Sequence, residues 1–261
     1  MLDKVGESPG RAISSFVALG DSFSEGVGDP RAGGGCRGWA DRVAGQLAGS
    51  NPGLRYANLA VRGKLLGEVI SEQVPAAVAM RPDLVSIAAG GNDLLRPGAD
   101  PDALAQPFAD AVAELTAAAG RVLVFTGFNP ATFPLIRLIR GRVAAYNAHL
   151  RIIAARYDCL LADLWAMKVL RDPALWSQDR LHLGPEGHRR VALRVSEVLG
   201  VPAEGDWRAP VAAPPAGRWL AQRRADAQWA RTYAVPWVRR RLTGASSGDA
   251  MTAKRPDLLP L

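Results

Sequence analysis

Apolar residues cluster in five short runs, at 16–19, 54–59, 84–88, 122–126 and 159–162. Runs of this length read as buried strands. Between them the pattern changes to a helical period. Trp39, Val43 and Leu47 recur at four-residue steps, as do Leu66, Ile70 and Val74. Leu104, Phe108, Val112 and Leu115 form a third stripe, which ends near Gly120, a suitable helix stop. Residues 135–156 predict a fourth helix, with Arg137, Arg140 and Arg142 solvated near its start, and 186–199 a last one. Strands that are apolar throughout, alternating with helices, argue for a parallel sheet covered on both faces. There is no internal repeat.

The expected fold is therefore α/β: a flavodoxin-like three-layer arrangement with a five-stranded parallel sheet in the order 2-1-3-4-5. It occupies residues 1–200. After Gly200 the composition changes, and 201–261 reads as an extension. Pro202, Pro210, Pro214 and Pro215 stand among alanines there, which suits a linker or wrapping arm. A basic stretch follows, with Trp219, Trp229 and Trp237, helical as far as Pro236; from Thr243 the chain reads as an extended tail.

Charge sharpens that division. The net charge is +7, and residues 201–261 carry ten Lys/Arg against five Asp/Glu. Tryptophan is costly to leave in water, so the first part of the extension is expected to dock on the body through its indoles. Arg239, Arg240 and Arg241 would stay free for an anionic partner such as a lipid headgroup, an acidic substrate or nucleic acid. Loss of the chain beyond Thr243 is expected to change little. Cys36 and Cys159 are too few for a disulfide framework. Cys159 lies in an apolar run and reads as a buried thiol. No secretory leader or membrane-spanning run is visible, so a cytoplasmic location is expected.

The chemistry is carried by four places. The first strand runs through Gly20 and Asp21 into Ser22, at a turn where a helix can begin. A serine there is exposed at the sheet edge beside free backbone N–H groups, although serine also caps helices. Gly63 follows the second run, Gly90-Gly91-Asn92-Asp93 the third, and Asp179-Arg180-Leu181-His182 the fifth. GDS, a central glycine, GGND and DxxH, in that order, resemble the four signature blocks of the SGNH (GDSL) hydrolase superfamily. The resemblance covers roughly the first 200 residues and implies the same strand order. All four places fall at the carboxyl ends of strands, where open α/β sheets carry their sites.

Acyl transfer assigns the roles. Ser22 is the candidate nucleophile and His182 its base, since an imidazole titrates near neutral pH. Asp179 would fix the imidazole tautomer. The N–H groups of Ser22 and Gly63 and the side-chain amide of Asn92 would form the oxyanion hole. These roles match those the resemblance implies. His149 reads as a surface or packing residue, Asp93 as a turn stabiliser, and the resemblance gives His188, at the start of the last helix, a structural part. Phe23 stands where the family often has Leu, and Leu183 where it often has Pro. The glycine-rich loop at 33–38 is expected to be mobile beside the site and to admit substrate. No HExxH and no Cys/His cluster is present, so neither metal nor cofactor is expected. The expected activity is hydrolysis of a small-molecule, lipid or sugar ester through an acyl-serine. The alternatives are an acyltransferase on the same site, or a binding module without catalysis on the same fold.

Overall fold

All five apolar runs are strands in the computed structural model of the chain, whose described residues are 12–133, 136–211, 228–236, 248 and 251–261. They are β1 (Ser15–Gly20), β2 (Arg55–Asn58), β3 (Leu84–Ala88), β4 (Arg121–Phe125) and β5 (Leu160–Ala162), parallel and in the order β5-β4-β3-β1-β2. The helices are α1 (Ser22–Glu25), α2 (Gly38–Ser50), α3 (Leu66–Glu68), α4 (Val74–Met80), α5 (Gly91–Leu94), α6 (Pro101–Ala118), α7 (Arg140–Arg156) and α8 (Pro185–Leu199). Alternation along β1 explains why its whole run is apolar. Phe16 and Ala18 face a core with Trp39, Val43 and Leu47 of α2 and Val191 and Val195 of α8. Val17 and Leu19 face the opposite core, with Val74, Phe108, Val112 and Leu150 of α4, α6 and α7.

Two helices depart from the expected pattern. The one over 66–80 is broken by a π-helical turn, Val69–Gln73. Pro75 has no N–H to donate at that point, and the turn aims buried Gln73 at β1. Its side chain accepts from Gly20 N at 2.8 Å and donates to Gly20 O at 2.9 Å, as a neighbouring strand would. The fourth helix begins at Arg140, after a 3-10 turn at Arg137–Ile139.

The sheet has six strands, one more than expected. The extra strand is β6 (Arg255–Pro260), antiparallel to β2 at the sheet edge, with Leu259 opposite Tyr56 and Arg255 opposite Asn58. The tail expected to be merely extended is thus part of the sheet. Pro256 and Pro260 hide it from a reading by propensity, but an edge strand tolerates proline. Residues 201–211 do wrap the body: Val201, Trp207 and Val211 pack on the core, and Arg190 donates to Asp206 O and Ala209 O. Trp229 is stacked by the Arg180 guanidinium, 4.8 Å from its ring centroid. Trp219, Trp237 and Arg239, Arg240 and Arg241 lie outside the described residues. Cys159 is half-buried rather than buried. Among the described residues, no helix is long and apolar enough to cross a membrane.

Candidate active site

β1 delivers Ser22 through a turn that admits little variation. Gly20 has φ +139, and a Cβ there would sit 2.3 Å from the Ala88 carbonyl of the adjacent strand. Asp21, not Ser22, caps α1: its Oδ1 accepts from Phe23 N at 3.0 Å. Ser22 is thereby left as the first helical residue, and its hydroxyl has no hydrogen-bond partner among the described residues. Phe23 anchors the short helix in an aromatic cluster, stacked on Trp39 at 5.5 Å and edge-on to Phe125 at 5.4 Å. The Phe in place of Leu therefore adds packing beneath the serine.

His182 and Asp179 meet directly. Asp179 Oδ2 lies 2.6 Å from His182 Nδ1, while Oδ1 accepts from Ser177 Oγ and from the backbone N–H groups of Leu181 and His182. Burial opposes ionisation of this carboxyl, but the bonds from His182 and Ser177 outweigh it and hold its pKa far below the usual carboxylate range. Asp179 is ionised at neutral pH and can only accept, so His182 Nδ1 is the donor in this contact. Leu183, where the family often has proline, is held by backbone contacts. Trp176 and Leu183 form a β-bridge, and Gly184 N donates to Leu175 O at 2.8 Å.

Ser22, Asn92 and His182 line one cavity of about 190 Å³. No hydrogen bond joins Ser22 to His182, a looseness common when no substrate is present. Asn92 Nδ2 donates to Asp21 Oδ2 and to Lys64 O, both at 3.0 Å, which ties the 61–64 loop to the Ser22 turn. Gly63 has φ +80 in that loop and is not part of the cavity wall. Asp93 accepts from Leu66 N at 3.0 Å and stabilises a helix start. His149 pairs at the surface with Asp102 at 2.7 Å. The glycine-rich loop is a hairpin closed by a Pro30–Cys36 bridge and does not line the cavity, so the substrate-admitting part expected of it is not where the structure puts it. No cluster of three metal-ligating side chains occurs among the described residues.

The profile of the GDSL-like Lipase/Acylhydrolase family matches residues 18–190. The chain belongs to this family. A lipase from Streptomyces rimosus is 36% identical over 89 residues, a match that spans 33% of this chain and 33% of the lipase. Among solved structures, Axe2, an acetylxylan esterase from Geobacillus stearothermophilus, gives a TM-score of 0.61 at 22% identity, covering 75% of this chain and 96% of Axe2. LAE5, an alpha/beta hydrolase enzyme from the metagenome of Lake Arreo, Spain, gives 0.62 at 22% identity, covering 72% of this chain and 95% of that one. TesA gives 0.60 at 24% identity, covering 71% of this chain and 97% of TesA. At these identities the likeness is one of fold.

Several residues that support this GDSL site are silent in its sequence blocks. Glu25, 7% exposed, closes α1 and accepts from three groups of Arg62: the backbone N at 2.7 Å, Nε at 2.9 Å and Nη2. This ion pair fixes the residue before Gly63 against the helix that begins at Ser22. Lys254, just before β6, donates to the carbonyls of Glu25, Cys36 and Arg37 and pairs with Asp41 at 2.9 Å. Gly28, at φ +99, lets the loop after α1 pass beside the His182 segment; a Cβ there would meet Leu183 O at 2.1 Å.

His188 has the structural part that was expected. Its Nδ1 accepts from Trp39 N at 3.2 Å and its Nε2 donates to Val27 O at 3.1 Å, a pattern only the neutral ring satisfies. Burial lowers its pKa from 6.5 to about 4, against the opposing pull of the Val27 carbonyl and Asp29. As pH falls, the unfolded chain takes up the proton first. The contribution is complete above the ordinary imidazole value and is lost on the way down to about 4, amounting to about 3 kcal/mol. Urea midpoints measured between neutral pH and the folded value of about 4 should fall accordingly. His188→Gln should flatten that slope, and a variant with the wild-type slope would rule the assignment out.

Proposed function

We propose that the chain is a serine carboxylic-ester hydrolase acting through an acyl-Ser22 intermediate. The observation that carries this reading is the Asp179–His182 pair at 2.6 Å, set on the same cavity as a serine that starts a helix. Ser22 passes its proton to His182 Nε2 as it attacks the ester carbon. Ionised Asp179 holds Nδ1–H and stabilises the imidazolium that forms. The oxyanion accepts from the N–H groups of Ser22 and Gly63 and from the Asn92 amide, which exchanges Asp21 or Lys64 for the substrate oxygen. His182 then returns its proton to the leaving alcohol. Water, activated by the same base, releases the acid.

The cavity speaks to the acyl group. Its wall includes Leu94, Phe128, Ile139, Leu164, Leu170 and Trp176. Its volume would take on the order of a dozen water-sized groups. Removal of acetyl from a sugar, the activity named for Axe2, needs far less apolar room, so an acyl chain longer than acetyl is favoured. A panel of p-nitrophenyl esters, from acetyl to dodecanoyl, tests this. kcat/KM should rise with chain length, and a serine-directed phosphonate should label Ser22. A protein that stays unlabelled and hydrolyses no ester would favour the non-catalytic reading. Labelling with a preference for acetyl would keep the reaction and overturn the acyl class.

Asn92→Ala should lower kcat roughly 10²-fold with a smaller change in KM, as for a lost oxyanion donor. A change confined to KM would make Asn92 a residue of substrate binding alone.

A further inference from the structure

Around the cavity, three segments repeat one pattern: an apolar side chain in the wall is followed at once by an arginine at the surface. Leu95 precedes Arg96, Ile136 and Ile139 precede Arg137 and Arg140, and Leu170 precedes Arg171. All four arginines are exposed. Between Ile136 and Ile139, Leu138 stands out into solvent at 84% exposure. Arg142 donates to Arg96 O at 3.1 Å, which brings two of these segments together. The charge is one-sided in sequence as well, because residues 121–157 hold six arginines and no Asp or Glu. None of Arg96, Arg137, Arg140 or Arg171 makes an ion pair among the described residues, although Arg140 donates to Asn129 Oδ1 at 3.1 Å and lies over the Trp165 ring. Of the nearby acids, Asp163 pairs with Arg151 and Asp172 caps a 3-10 turn, while Asp93 accepts from Leu66 N and lies close enough to Arg96 to feel its charge, which leaves Arg137, Arg140 and Arg171 without an acid among the described residues.

We propose that this lip docks on an anionic lipid surface, and that the ester hydrolysed is presented by that surface. An exposed leucine flanked by exposed arginines that make no ion pair has the chemistry of an interfacial contact: the apolar side chain enters the acyl boundary while the guanidinium groups meet lipid phosphates. Nucleic acid would meet the charges but would gain little from Leu138, and an acidic protein surface would gain nothing from the apolar cavity behind it. The continuity with an apolar cavity gives the docking a purpose, since an acyl chain would pass from lipid to Ser22 without crossing water. The proposal rests on the ester-hydrolase reading for its substrate, but not for the docking itself.

The test uses the full chain. Co-sedimentation is measured with phosphatidylcholine vesicles, and with the same vesicles containing phosphatidylglycerol. In parallel, turnover of a dissolved p-nitrophenyl butyrate is followed. The wild type should bind the anionic vesicles, less so as salt rises. Arg137→Glu with Arg171→Glu should weaken binding by about fivefold or more per site, and Leu138→Asp should weaken it further. Butyrate turnover and melting temperature should stay at wild-type values in all of these variants. Docking that ignores phosphatidylglycerol, or that survives all three changes, overturns the proposal. So does binding lost only when Arg239, Arg240 and Arg241 are reversed, which would move the contact to the extension, or binding to DNA with none to vesicles. If vesicles bind as expected but neither butyrate nor lipid is hydrolysed, the docking stands and the hydrolase reading falls.

Discussion

Ser22→Ala should reduce kcat for any ester substrate at least ~10³-fold while leaving the fold intact. The loss is chemical because the hydroxyl has nothing structural to do. It bonds to no described residue, Asp21 supplies the helix cap, and Phe23 supplies the packing. Stability should therefore stay within about 0.5 kcal/mol of wild type, as for an uninvolved surface side chain. His182→Ala should be nearly as damaging. The double variant should be hardly worse than either single one, because a nucleophile and its base act as a unit. Single-turnover rates, alongside thermal melts of the three variants, check both halves. A folded Ser22→Ala protein with wild-type turnover would remove the serine from the mechanism, and additive losses would mean that His182 acts on something other than Ser22.

The candidate site was legible in sequence where its determinants are local. Gly20-Asp21-Ser22 reads as a strand-to-helix turn because one apolar run stops there. Asp179 and His182 lie three apart, close enough for a single turn to bring their side chains together. The covered parallel sheet followed from strands that are apolar on both faces, a pattern that β1 explains with Phe16 in one core and Val17 in the other, while the strand order came from the flavodoxin-like fold that such strands suit and that the resemblance implies.

What was not legible depends on contacts between distant segments. Glu25 and Arg62 are 37 residues apart, and neither charge looks different from a solvated one until the fold places both between α1 and the loop that carries Gly63. Gln73 offers no pattern at all, since it acts as a strand partner for Gly20 only through a π turn. β6 carries two prolines and no alternation that propensity can read. Asn92 was legible as a residue of the candidate site but not in its detail, because its acceptors Asp21 and Lys64 come from distant segments.

Truncation after Thr243 should destabilise the protein and slow it, contrary to what the look of the tail suggests. The cut removes β6 and with it the pairing to β2, the Arg255 bond to Tyr56 O at 2.7 Å, and the Leu261 bond to Leu54 O at 3.1 Å. It also removes Lys254, whose ammonium joins three carbonyls and Asp41 around the end of α1 and the hairpin loop. Burial lowers the Lys254 pKa, and Asp41 opposes this. Breaking a well-buried pair costs about 3–5 kcal/mol. The Lys254 side chain is 21% exposed, so Lys254→Met should cost about 2 kcal/mol once solvent screening is allowed for. The full truncation should cost more, with a fall in melting temperature of roughly 6–12 °C. Catalysis should suffer with it, because Glu25 sits between Lys254 and Arg62 and thus between the tail and the loop that carries Gly63. A small shift of that loop should lower kcat by roughly tenfold, with KM changed less. Melting curves and ester kinetics on Lys254→Met and on the truncated chain separate the two effects. If the truncated chain melts with the full one and turns over as fast, β6 is an ornament of the sheet edge and α1 is held by the body alone.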